Sequence, residues 1–198
     1  MNTIKLQGTR RSDFGGATTR QLRSEGMVPG VIYGGEESIH FTTKKLDLRA
    51  LVYTPQFQIA EIEIDGKTYR CILKDMQFDV INDELIHVDF LELVDGKKVI
   101  AELPIKFNGQ PEGVKAGGRL VIKLKSVKVR TYPKYLKEAL DVDINSLKLN
   151  GNVRVQDIVA DNIEIMNPPR IPIASVVMTR ALRQADNENK GAASGDAE

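Results

Sequence analysis

The segment Ile62-Glu63-Ile64, Asp65-Gly66, Lys67-Thr68-Tyr69-Arg70-Cys71-Ile72-Leu73 says more about the fold of this chain than any other. Asp-Gly accepts the positive φ angles of a two-residue type I′ turn, so two antiparallel strands are expected to meet there, with Ile64 facing Lys67 and Ile62 facing Tyr69. Alternation then gathers Ile62, Ile64, Tyr69, Cys71 and Leu73 on one face, which makes Cys71 a small core residue rather than a nucleophile. A lone hairpin is marginal in water, so other segments have to extend this sheet.

Residues 3–7, 31–33, 38–41 and 87–93 have strand patterns, the last with Val88 and Phe90 turned inward. Two short helices are expected between them: one capped by Thr18 or Thr19 and stopped by Gly26, the other capped by Thr43 and carrying Leu46, Leu48, Leu51 and Val52. Asp95-Gly96-Lys97-Lys98 is polar and turn-forming and marks a boundary between domains over residues 1–95 and 99–180. Past it, Val99, Ala101, Leu103, Ile105 and Phe107 keep strict period two up to Asn108-Gly109, so the second domain also begins as a β domain. Apolar parity slips from Ile122 and Leu124 to Val127 and Val129, which predicts one strand with a bulge at Ser126. Pro168, Pro169 and Pro172 assign their segment to an edge or loop. Residues 184–198, rich in Asn, Gly, Ala, Ser and acid, are expected to be a disordered tail.

The whole chain of 198 residues has 28 Lys and Arg against 27 Asp and Glu, for a net charge of +1. That average conceals blocks: +3 over residues 1–35, −5 over 36–98, +6 over 99–183 and −3 over the last fifteen. Between Glu112 and Glu138 there is no acid, and Lys123, Lys125, Lys128 and Arg130 are expected on the outer face of the bulged strand, available to RNA or protein. One Cys, no N-terminal apolar run and no apolar stretch near the ~18 residues of a membrane span point to a soluble chain of the reducing cytoplasm.

Material for catalysis is thin. His40 and His87 with an interior Cys71 cannot supply the clustered ligands of a structural zinc site, and no G-x-x-x-x-G-K-[ST], G-x-S-x-G or G-x-G-x-x-G pattern occurs. No catalytic site, metal, cofactor or small-molecule substrate is expected. Arg10, Arg11, Arg20 and Arg23 surround the Gly15-Gly16 loop, with Tyr33 just beyond. Small residues let backbone amides approach a phosphate chain and guanidiniums add bidentate contacts; a solvated basic helix face accounts for the same pattern.

Several runs are familiar in order and spacing: Arg20-Gln21-Leu22-Arg23, Val28-Pro29-Gly30-Val31-Ile32-Tyr33-Gly34-Gly35, Lys74-Asp75-Met76-Gln77 and His87-Val88-Asp89-Phe90. With them go Pro104-Ile105-Lys106-Phe107, Gly113-Val114-Lys115-Ala116-Gly117-Gly118-Arg119-Leu120, Tyr132-Pro133 and Leu140-Asp141-Val142-Asp143-Ile144. Over roughly residues 3–180 the chain resembles the bacterial 5S rRNA-binding family of large-subunit ribosomal protein twenty-five, in its long form, the general-stress class. The resemblance implies a mainly β (α+β) fold, an N-terminal β-barrel with short helices followed by a β-rich C-terminal domain. It also implies docking on a non-Watson-Crick internal loop of 5S rRNA, within the central protuberance and beside its proteins.

Residue by residue, it implies RNA contacts from Arg10, Arg20, Arg23, Tyr33, Arg70, Lys74, Gln77, His87 and Asp89. Arg10, Arg20 and Arg23 would neutralise phosphate. Arg70 and Lys74, by strand parity, would reach outward together. Gln77 would address a base edge, and His87 a base or a ribose 2′-hydroxyl unless it is a satisfied core histidine. Asp89 would accept from a base amino group or orient His87, or else serve as an ion-pair or turn acceptor. The chain has Gly15-Gly16-Ala17 and Gln21 where relatives often carry Lys and Arg, and an acidic stretch, residues 79–84, so a shallow salt dependence is expected. The competing reading is a stress-response or protein-interaction adaptor that uses the C-terminal domain, with incidental RNA contact.

Overall fold

Asp65 and Gly66 make the expected turn, with φ of 51° and 76°. The strands leaving it, β4 (Ile59–Ile64) and β5 (Lys67–Phe78), pair in the expected register, Ile64 with Lys67 and Ile62 with Tyr69. Four more strands close the sheet on itself: β1 (Thr3–Arg10), β2 (Met27–Tyr33), β3 (Ile39–Lys44) and β6 (Leu85–Glu92). The strands follow one another around this closed barrel as β1, β3, β2, β6, β5, β4. Parallel pairs β1–β4 and β2–β6 supply the two joints that hairpins cannot make. This computed structural model describes residues 2–180 and 184, so the expected tail beyond Gln184 lies outside the described residues.

Inside the barrel, alternate residues of every strand meet. Leu6, Val28, Ile32, Phe41, Ile62, Val88 and Phe90 are all at most 2% exposed, and the rings of Phe41 and Phe90 lie 5.9 Å apart. Helix α2 (Lys45–Val52) adds Leu48 and Leu51 to the same cluster. Thr43 does not cap it, contrary to the expectation from sequence: the cap position is Lys44, and the Thr43 hydroxyl instead donates across the β1–β3 seam to the Gln7 carbonyl at 2.8 Å. Helix α1 (Gly16–Ser24) likewise begins at Gly15 (φ 151°), and the Thr19 hydroxyl donates back to the Gly15 carbonyl at 2.6 Å. Gly30 is required by packing: a Cβ there would stand 2.9 Å from Phe41 Cζ and from Val88 Cγ2. Gly30→Ala is therefore expected to destabilise the barrel by about 1–3 kcal/mol, seen as a lower urea midpoint with an unchanged m-value.

The described residues form two compact units, one holding the chain up to Glu102 with Arg130–Glu138, the other Leu103–Val129 and the described residues from Ala139 on. Strand β7 (Val99–Asn108) buries Val99, Ala101, Leu103 and Ile105 at the expected period, and Gly109 closes it at φ 93°. After the short helix α3 (Glu112–Lys115) come β8 (Arg119–Ile122) and β9 (Ser126–Thr131). The remaining strands are β10 (Leu140–Asp143), β11 (Asn152–Arg154), β12 (Glu164–Ile165) and β13 (Pro172–Val177). They build two sheets, β10-β7-β9-β12 and β11-β13-β8.

Two expectations are corrected here. The parity slip near Ser126 is a change of sheet, because β8 and β9 belong to different ones. The amides of Lys123 and Leu124 donate to the Ile173 carbonyl, whereas the Lys125 carbonyl accepts from Ile105. Lys123, Lys125 and Lys128 are exposed but follow that crossover, and Arg130 is half-buried and groups with the first unit, so the four do not line one strand face. Likewise, Pro172 does not exile its segment: β13 is the central strand of its sheet, with Pro172 at its first position, where a missing N–H is tolerated.

Candidate nucleic-acid interface

Since Val88 and Phe90 point into the core, His87, Asp89 and Leu91 of β6 point out. Register carries this outward set across the sheet. Gln77 and Asp75 of β5 pair with His87 and Asp89, Val31 of β2 lies beside Asp89, and His40 of β3 pairs with Val31. His87 Nδ1 stands 2.7 Å from Asp89 Oδ1. That oxygen is buried and has no other partner among the described residues. With Nδ1 held by the carboxylate, Nε2 is the hydrogen-bonding atom the imidazole has left to offer.

Burial, then the charges of Asp89 and Asp75, push the Tyr33 phenol above its ordinary value of 10.0, so it stays a protonated donor beside two carboxylates. Tyr33, Gln77, His87 and Asp89 therefore come together as one polar array. Asp75 belongs with them, although its residue type gave no signal; its strand spacing from Gln77 would have revealed it. His40 is a second addition, legible from its alternation with buried Phe41. Phe14 packs edge-on against His40 at 5.0 Å and carries the Arg11 guanidinium 6.0 Å above its ring.

Helix α1 flanks the array. Arg23 Nε donates to the carbonyl of Ile86, the residue before His87, at 3.2 Å. Arg20 lies one turn back on the same helix, exposed. An added Cβ at Gly15 or Gly16 would meet nothing within 4 Å, so the start of the helix is open to an approaching chain.

Three expected residues stand apart. Arg10 is exposed at the last position of β1, at the barrel's end. Arg70 sits opposite Glu61, roughly 23 Å along β5 from Gln77. Lys74 does not share its outward face as expected: Leu73 pairs with Phe90 and Asp75 with Asp89, so Lys74 is the extra residue of a bulge. Its Nζ donates to the Ile100 carbonyl at 3.0 Å.

Cys71 is fully buried, and burial followed by the Glu92 charge pushes its thiol up to about 12. The native protein should resist thiol reagents at pH 8 and react only on unfolding. Because the unfolded thiol ionises near 9.0 and the folded one near 12, stability should be lost as pH rises through that window. Among the described residues no group of three or more His, Cys, Asp or Glu could hold a metal ion, and no helix is long and apolar enough to cross a membrane.

Residues 6–90 match the model of the ribosomal L25p family, and residues 98–180 match that of the ribosomal protein TL5 C-terminal domain. The large ribosomal subunit protein bL25 of Amoebophilus asiaticus is 41% identical over 193 residues, covering 96% of this chain and 98% of that protein. The bL25 proteins of Azobacteroides pseudotrichonymphae and Bacteroides fragilis are 40% and 36% identical, covering 92% and 93% of this chain and 97% of each relative. With one family model matched in each half of the chain and relatives aligned nearly end to end, this chain belongs to the bL25 family of large ribosomal subunit proteins, in its long form.

Proposed function

We propose that this protein is a structural, non-catalytic constituent of the cytoplasmic ribosome that binds 5S rRNA in the central protuberance. The outward face of β2, β6 and β5, with the flank of α1, lies against a non-Watson-Crick internal loop of the RNA. The observation that carries the reading is the His87–Asp89 pair, held at 2.7 Å between Gln77 and Tyr33 on an open sheet face. Regular A-form RNA keeps its base edges in a deep, narrow groove, whereas a distorted loop widens it and brings edges and phosphates to the surface.

The array fits such a surface. Asp89 and Asp75 accept from base amino groups; Gln77, His87 and Tyr33 donate to base or ribose oxygens. Arg20 and Arg23 bind phosphate beside the array, and Arg10 does so at the barrel's end. Arg70 reaches RNA only at the far end of the interface, and Lys74 reaches it from the bulge beside Asp75 by leaving the Ile100 carbonyl. In the second unit, exposed Lys123, Lys125 and Lys128 are secondary contacts to RNA or protein.

The test is a gel shift with 5S rRNA at moderate salt, together with a search for the chain in purified large subunits. A complex with three phosphate contacts should show a log–log salt slope of about −2 to −3, shallow for a ribosomal protein. No complex together with absence from the subunits overturns the reading.

A further inference from the structure

At the end of the β5–β6 hairpin the barrel stops looking like a nucleic-acid surface. Val80 and Ile81 are 96% and 90% exposed, yet the turn that displays them is tightly tied. Asp79 Oδ1 accepts the Ile81 and Asn82 amides at 2.8 and 3.3 Å. The Asp79 amide donates to the Glu84 carbonyl at 2.7 Å, and the Asp83 amide to the Asp79 carbonyl at 3.0 Å. The base of the turn leans on α2 through a Lys45–Glu84 ion pair at 2.8 Å and a Tyr53–Phe78 ring contact at 6.4 Å. Exposed Leu46 and Tyr53 line a neighbouring groove of about 700 Å³ together with Lys44, Lys45 and Arg49. Large apolar side chains held in one corner of a soluble domain mark a protein interface, and a tied turn has already met the ordering cost of binding.

The charge of the turn itself selects the occupant. The turn has no Lys or Arg of its own, whereas Asp79, Asp83 and Glu84 cluster in it, and of these Glu84 is paired with Lys45. The Ile81 and Asn82 amides, foremost, hold the Asp79 carboxyl below its ordinary value, so it stays charged. Carboxylates repel phosphate, and aliphatic tips offer nothing to a base edge. We infer that the β5–β6 hairpin tip is a protein-docking knob: Val80 and Ile81 enter an apolar notch on a basic segment of a neighbouring protein of the large subunit. This rests on the ribosomal reading above.

The test uses the full chain with Val80→Ser and Ile81→Ser together. Since both side chains are nearly fully exposed, thermal unfolding and 5S rRNA affinity should stay within about twofold of the parent, while retention on salt-washed large subunits should fall about tenfold. A photo-crosslinker at position 80 should label a basic ribosomal protein within the purified particle. Undiminished retention, or crosslinks to rRNA or to a second copy of this chain, overturns the docking assignment. Absence of the unaltered chain from large subunits is a distinct result that overturns the ribosomal reading, and the docking assignment with it.

Discussion

Reversing both arginines of α1, Arg20→Glu with Arg23→Glu, should weaken 5S rRNA binding by on the order of 3 kcal/mol, more than about a hundredfold. Two charge-assisted phosphate contacts are lost and two repulsions replace them. None of the side chains of α1 is fully buried, so the fold should survive and circular dichroism should be unchanged. The neutral pair, Arg20→Ala with Arg23→Ala, isolates the electrostatics: its log–log salt slope should be shallower by about 1.5. The two positions are not equivalent. Arg23 also donates to the Ile86 carbonyl and so holds α1 against the strand that carries His87. Arg23→Lys keeps the charge and loses that planar donor, so it should cost affinity where Arg20→Lys costs little. Equal, small effects of both lysine variants would contradict this division of labour.

Asp89→Asn should separate affinity from stability. The carboxylate holds His87 Nδ1 and stands ready for a donor on the RNA, so its loss should weaken binding by about 1.5–3 kcal/mol, roughly ten- to 150-fold. Folding should respond in the opposite sense. Asp89 and Asp75 face each other across β5 and β6, and like charges directly opposite oppose sheet formation by about 0.2–1 kcal/mol. Removing one should leave the urea midpoint unchanged or higher. It should also return the Tyr33 phenol toward 10.0, since Asp89 is the larger of the two charges that raise it, after burial. Asp75→Asn relieves the same repulsion while leaving His87 held, so it should match the gain in stability with a smaller loss of affinity. If Asp89→Asn lowers stability as much as affinity, the pair is a structural tie rather than a site for RNA.

A strand face that costs stability when empty is what a binding surface requires. It also explains why Asp89, an acid in the path of a polyanion, fits there: next to base amino groups the relevant partners are donors, and the nearby phosphates go to arginine.

Much of this was legible from local chemistry. Asp65-Gly66 and the apolar alternation around it determined one hairpin, its register and the burial of Cys71, because turn dihedrals and period-two burial act within a few residues. The strict alternation from Val99 to Ile105 did the same for β7. Outward placement of His87 and Asp89 follows from Val88 and Phe90 being apolar, with no knowledge of the barrel; Gln77 faces outward only because of the bulge before it.

Wherever the chain departs from one regular strand, the tertiary fold decided instead. The bulge at Lys74 exists so that Leu73 can pair with Phe90 and Asp75 with Asp89. One extra residue inverts every later side chain on β5, and it separates Lys74 from the face it would otherwise share with Arg70. The slip before Ser126 has the same signature in sequence and a different cause, a crossing between two sheets, since parity reports that the face changes and not what it changes against. The array itself is a product of closure. Tyr33 meets Asp89 and Asp75 only because β2 runs parallel to β6, a joint between segments more than fifty residues apart that no local pattern encodes.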